Sequence, residues 1–399
     1  MSTLKFIFKS LLKPLRRRKK ASGFTLIELL VALILTFLII TPLLSLVISF
    51  MTTDRQEQAK NSSQQEIQAA LDYMAQDMQQ SIYIYDATAL SRGNDSDDPS
   101  LSGIQDQIPP FANTVDGCQS PTTCVPVLAF WKRKYFDRAD TVKDPVTGNN
   151  QQIKDINDGS QGSDRFVYSL VVYYLLDNDP NSSTWSKVNR IGRFEISDGI
   201  PDPNSADPEN PNYFLNPDKG FKRFDLSASP GKIQQSMNSW LKDGDSYTQP
   251  VVTLVDYIDD TLVADFEALG ITNFTPPTND ASDAAGINMI SSACGARTGQ
   301  TVDPISGLII NGSSRVPPDD LLTSAPDLQT GSFYACVNPV NAQGQSVAQV
   351  FLRGNALPRL SKDEDRWKIT AGNQTTQLAN RPTASVRVSV RGLLSSDEE

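Results

Sequence analysis

From Phe24 to Phe50 the chain runs for 27 residues, mostly Leu, Ile, Val and Phe, with a single charged side chain, Glu28. At about 1.5 Å per residue a helix of this length reaches roughly 40 Å, enough to cross a hydrocarbon layer of about 30 Å. It also exceeds the apolar core of about 7 to 15 residues in a secretory signal cleaved after that core. The 23 residues before it carry eight charges, all Lys or Arg, five of them consecutive at Arg16-Arg17-Arg18-Lys19-Lys20. The positive-inside rule therefore keeps the N-terminus in the cytoplasm and sends the bulk of the chain across the cytoplasmic (inner) membrane in a single pass, with the head in the periplasm.

Downstream the apolar positions are spaced for one helical face: Ile67, Leu71, Met74, Met78 and Ile82. No proline lies between Thr52 and Ile82, so one helix is expected from Phe24 to about Ile82, near 90 Å long at the standard rise. Pro42 is expected to kink its membrane half. Beyond it, Val-, Phe- and Tyr-rich segments alternate with turn-forming clusters. They predict strands at Val125–Lys132, Phe166–Leu176, Arg190–Ile196, Val251–Ile258, Gly331–Asn338, Val347–Arg353 and Ala384–Val390. A short helix is expected at Gly231–Lys242, and long loops at Gly199–Gly220 and Thr275–Val316. The expected organisation is a basic leader at 1–23, a membrane half-helix at 24–50, an amphipathic half-helix at 51–82 and an α+β head at 83–399.

Charge and composition exclude several functions. The chain has no histidine, which removes imidazole-based triads and histidine-ligated zinc. Residues 24–399 hold 28 basic against 46 acidic residues, a net charge of −18 that repels nucleic-acid phosphates. Gly231-Lys232 is followed by Ile233 rather than Ser or Thr, so no phosphate loop is present. No catalytic residue, cofactor or metal ligand can be assigned, and the expectation is a protein that is not an enzyme.

Glu28 demands a partner, because an unpaired carboxylate facing lipid costs several kcal/mol. The segment Ser22-Gly23-Phe24-Thr25-Leu26-Ile27-Glu28-Leu29-Leu30-Val31-Ala32-Leu33 resembles the class III signal of type IV pilins and pseudopilins. The resemblance implies cleavage by a prepilin peptidase between Gly23 and Phe24, N-methylation of the new Phe24 amine, and a pilin-like fold with a long N-terminal helix packed on an antiparallel sheet. It also gives Glu28 a counter-charge, the Phe24 amine of a neighbouring subunit, that exists only after cleavage. The mature chain of 376 residues is large for a major subunit, which suggests a minor one.

Ala70-Leu71-Asp72-Tyr73-Met74-Ala75-Gln76-Asp77-Met78-Gln79-Gln80-Ser81 is similar to minor pseudopilins of the J and W types. Leu254-Val255-Asp256-Tyr257-Ile258 and Phe351-Leu352-Arg353-Gly354-Asn355-Ala356-Leu357 look like the pseudopilins of cyanobacterial hormogonium polysaccharide secretion, most closely the C type. On their own chemistry Arg353, Gly354 and Asn355 suit a strand end and tight turn. The resemblance implies other pseudopilins, a polytopic inner-membrane platform protein and, indirectly, an assembly ATPase as partners, with polysaccharide export and gliding motility as the function. Priming of a type IV pilus, a type II protein secretion filament and a membrane-tethered adhesin are the alternatives.

Four cysteines, Cys118, Cys124, Cys294 and Cys336, fall on the expected outer side, where disulfides form. Proximity suggests Cys118 with Cys124 and Cys294 with Cys336, other connectivities remaining open. Asp-rich runs at 94–98, 155–159, 177–179 and 243–245 could ligate calcium, but none completes a twelve-residue calcium loop, and turn chemistry explains them. Trp131, Trp185, Trp240 and Trp367 could stack on sugars or fill a core, and nothing in their spacing groups them.

Overall fold

The computed structural model describes residues 23–144, 148–156, 165–178, 182–202, 204–205, 211–228, 233–271, 274, 294, 314–338 and 345–391. The chain divides into two compact units that part between Arg55 and Gln56. A single helix, α1, runs from Leu26 to Gln79 and continues through Pro42. In its first part the hydroxyls of Thr36, Thr41 and Ser45 turn back onto the carbonyls of Ala32, Phe37 and Pro42 at 2.7–2.9 Å. Polar side chains satisfied within the helix are what an apolar solvent requires.

The fold is α+β, with a long N-terminal helix and antiparallel sheets. The strands are β1 (Ser81–Ile84), β2 (Cys124–Phe136), β3 (Thr141–Lys143), β4 (Asn150–Gln152), β5 (Arg165–Leu176), β6 (Asn189–Ser197), β7 (Ile200–Pro201), β8 (Tyr213–Leu215), β9 (Val252–Ile258), β10 (Ser314–Val316), β11 (Phe333–Asn338), β12 (Gln345–Arg353) and β13 (Thr383–Arg391). Two principal sheets result among the described residues, a five-stranded one in the order β1-β2-β5-β6-β9 and a four-stranded one in the order β10-β11-β12-β13. Each of the seven strands expected from composition has its counterpart within a few residues. The six short ones (β1, β3, β4, β7, β8 and β10) carry too little pattern to read.

Within the second unit, Ile67, Leu71, Met74 and Met78 of α1 are buried in the same core as both sheets. Ile82 corrects the expectation: it is buried, but in β1 rather than on the helix, which ends at Gln79. Ser81-Ile82-Tyr83-Ile84 is rich in β-branched and aromatic residues, and pairing with β2 (Tyr83 opposite Trp131, Ile84 opposite Phe130) supplies the hydrogen bonds a longer helix would have made. Helix and strand both bury an apolar residue at that spacing, so periodicity alone could not separate them.

β2 is buried without a break from Cys124 to Lys132, because both of its faces are covered. Alternation sends Phe130 and Lys132 toward α1 and Trp131 the other way. There Trp131 meets Phe221, Phe224 and Trp240 edge-on, with centroids 5.8, 5.2 and 5.4 Å away. Its Nε1 donates to the Tyr85 hydroxyl at 2.8 Å, which donates to the Met237 carbonyl at 3.0 Å. Met237 lies in a short helix, Ile233–Asn238, inside the expected span. Trp131 and Trp240, ungrouped in sequence, are thus one core cluster.

Candidate functional site

Functional side chains gather at three places: the start of α1, the seat of α1 on the head, and the junction of the two sheets. Gly23, Phe24 and Thr25 precede the helix in non-helical, exposed chain, and a Cβ added at Gly23 would meet nothing within 4 Å. The Gly23–Phe24 bond is therefore accessible.

Thr25 is the N-cap of α1, since its carbonyl accepts the first helical bond from the Leu29 amide at 3.1 Å. The Glu28 amide donates to the Thr25 hydroxyl and the Glu28 carboxylate accepts from the Thr25 amide, both at 3.3 Å. This reciprocal pair is a capping box, and the Thr-x-x-Glu spacing that signals it is visible in the sequence, though the expectation above looked only to a distant partner for Glu28. Position in the first helical turn also favours a carboxylate electrostatically. Both bonds that Glu28 accepts from Thr25, amide and hydroxyl, fall on Oε2. Among the described residues Oε1 is unengaged, so the cap leaves one carboxylate oxygen for a second partner.

Asp77, near the end of α1, is 8 % exposed yet charged. It accepts from Lys132 Nζ of β2 at 2.8 Å, Arg193 Nε of β6 at 2.8 Å and the Tyr173 hydroxyl of β5 at 2.7 Å. Arg193 also pairs with Glu195 at 2.6 Å. Burial alone would raise the Asp77 carboxyl, but Arg193 and Lys132 outweigh it and hold it below the ordinary range. Glu195 is lowered by the same balance, burial against Arg193, Lys132 and Lys134. Farther back along α1, Arg359 bonds Ser63 at 3.1 Å and pairs with Glu66, and Gln56 reaches Asn380 at 3.4 Å. A Cβ at Gly354 would stand 3.2 Å from Ile67, so glycine lets the helix lie close to the end of β12. The amphipathic half of the helix is therefore seated on the head by charge, on the five-stranded sheet and at Arg359, as well as by its apolar stripe.

The two head segments singled out above meet in space. Ile258 bridges Gly354, and the Tyr257 carbonyl accepts from the Asn355 amide at 2.8 Å. Tyr257 takes φ = 61°, where a residue other than glycine is strained, as the ladder slips at this end of β9. Next to it Asp259, wholly buried, accepts from Arg353 Nε at 2.7 Å, Arg381 Nε at 3.0 Å and Asn355 Nδ2 at 3.3 Å. Burial would raise its carboxyl, but Arg381 and Arg353 prevail and lower it. Arg353-Gly354-Asn355 is a strand end, as its chemistry suggested, and it is also half of a buried ionic junction whose other members, Asp259 and Arg381, carried no local signal.

Burial, followed by the Asp259 carboxylate, pushes Asp260 up to about 7 from 3.8. The folded chain thus keeps a proton that the unfolded chain releases, and this group's contribution falls as pH rises from about 4 to about 7. Asp260→Asn is expected to raise the melting temperature at pH 8 relative to the parent, with the difference closing by about pH 4. A constant difference across that range would refute the assignment.

The structure joins Cys118 to Cys124 and Cys294 to Cys336, with Cα separations of 5.4 and 5.1 Å. Of the Asp-rich runs, 94–98 is a set of Asx turns in which Asp95 Oδ1 accepts from the amides of Asp97 and Asp98 at 2.9 and 3.1 Å. At 243–245 the backbone carbonyls of Asp243 and Asp245 accept from Lys242. Residues 157–159 and 179 lie outside the described residues.

Residues 18–44 match the prokaryotic N-terminal methylation motif, which covers Gly23, Phe24 and Glu28. The match supports a type IV pilin-like protein, with prepilin peptidase processing, pilin partners and membrane attachment through α1. It suggests a structural rather than an enzymatic subunit. No curated protein and no solved structure matches the chain.

Proposed function

We propose that this type IV pilin-like chain is a minor pseudopilin, processed after Gly23 and drawn from the cytoplasmic membrane into a short filament. The observation that carries the reading is the methylation motif at 18–44, set on an exposed Gly23–Phe24 bond and followed by a capped, apolar helix. Cleavage turns a neutral peptide nitrogen at Phe24 into a cation. Glu28, with Oε1 unengaged, is placed to receive such a cation from a neighbouring subunit once helices stack, and the Asp77 cluster supports transmission of the pull on α1 to the head. A head of more than 300 residues favours a subunit present in few copies. Its cargo is extracellular polysaccharide, in a cell that glides, on the resemblance of the segments around Tyr257 and Gly354. The N-terminus lies in the cytoplasm and the head outside, by the basic leader.

Mass spectrometry of the mature chain from cells containing a prepilin peptidase should find N-methylphenylalanine at Phe24 as its first residue. Gly23→Val should leave the leader attached. A mature chain beginning at Met1, or at a site after the apolar run, would end this reading.

A further inference from the structure

Lys132 is the only buried lysine among the described residues. Its Nζ lies 2.8 Å from Oδ1 of Asp77 and 3.5 Å from Oε1 of Glu195, and that glutamate oxygen accepts no hydrogen bond. The other Asp77 oxygen, Oδ2, accepts from the Tyr173 hydroxyl at 2.7 Å and from Arg193 Nε at 2.8 Å. Met74, Met78 and Phe130, neighbours along α1 and β2, are wholly buried. An amine thus faces a carboxyl group whose second oxygen is held by two donors, with a third acid beside the amine. Amide formation uses these parts.

At rest the two groups are ions. Burial disfavours charge on both, and transfer of one proton from Nζ to Oδ1 gives an amine and a carboxylic acid. The Nζ lone pair then attacks Cγ, and negative charge collects on Oδ2, where Tyr173 and Arg193 already donate. Arg193 favours the carboxylate at rest and favours this oxyanion as well. Nζ passes a second proton to Glu195 Oε1, and Glu195 hands it to the Oδ1 hydroxyl. The Cγ–Oδ1 bond breaks, one water leaves and Oδ2 returns to a carbonyl. The third Nζ proton stays as the amide N–H, so an ammonium and a carboxylate become an amide and water with no co-reactant. Arg193 and Glu195 also line a cavity of about 480 Å³ that can receive the water. The product keeps Arg193 and Glu195 as a matched pair at 2.6 Å and removes one buried charge of each sign, whose desolvation is costly. Asp259 cannot follow this course, because both of its cations are arginines, which stay protonated.

We propose that Asp77 and Lys132 join in an isopeptide bond, formed by the folded chain itself, which ties the end of α1 covalently to β2. The bond needs neither cleavage at Gly23 nor a neighbouring subunit, so its failure is distinct from failure of the filament reading.

The test uses the full, uncut chain, made without a prepilin peptidase, purified in detergent and reduced. Its mass is expected to fall short of the sequence mass by one water, and its digest should contain a branched peptide joining Asp77 to Lys132. In denaturing gels it should run ahead of Lys132→Arg, which keeps a cation beside both acids but cannot form the bond. That variant should have its full sequence mass. Glu195→Gln should lower the bonded fraction at least tenfold while its circular dichroism matches that of the parent. A parent chain of full mass, loss of water that persists in Lys132→Arg, or an unchanged bonded fraction in Glu195→Gln would each overturn the proposal.

Discussion

Asp259→Ala is expected to destabilise the head by about 3–5 kcal/mol, the usual cost of removing one partner from a buried ion pair. Arg353 and Arg381 are each 3 % exposed, and the substitution would strand both guanidinium groups in a medium that solvates charge poorly. Each has other acceptors: Arg353 Nη2 donates to the Thr330 carbonyl at 2.6 Å, and Arg381 Nη2 to the Trp367 carbonyl at 2.8 Å. Carbonyl dipoles reduce the penalty without cancelling it. Trp367 is thereby tied to the junction, so its fluorescence should follow the unfolding. Denaturant titration of the full chain should show the loss as a lower midpoint, and a shift worth less than about 1 kcal/mol would mean that the carbonyls carry the arginines unaided.

Glu28 supplies the second large effect, on assembly rather than stability. A carboxylate and an amine about 4 Å apart attract by about 4 kcal/mol at an effective dielectric of 20, so losing the charge should reduce filament incorporation at least tenfold. Capping and pairing can be separated. Glu28→Gln keeps a capping-box residue and removes the charge. Thr25→Ala removes the cap and keeps the charge. Among chains that are inserted and cut, Glu28→Gln should fail to co-purify with sheared filaments, whereas Thr25→Ala should still do so. The reverse ranking would assign Glu28 to helix capping alone.

The membrane segment, the capping box and the seven longer strands are legible because each is a pattern among residues a few positions apart. Ile82 shows the limit of that legibility. Its burial followed from spacing, but its element depended on whether β2 offered a partner, and β2 begins at Cys124. The Asp259 junction lies wholly beyond it, with Arg353 and Arg381 respectively 94 and 122 positions away. An aspartate followed by another aspartate and a threonine looks like any solvated turn until the ends of two sheets close over it.

What the linear order of residues determined is where charge and oil alternate: a cationic leader, a lipid-length helix with one acid in its first turn, and strands of a half-buried surface. Those follow from interactions within one or two turns of backbone, which act before any tertiary contact exists. Which acids became buried hubs was decided only when distant strands met. Desolvation is a property of the enclosed volume, and no local stretch of chain encloses one.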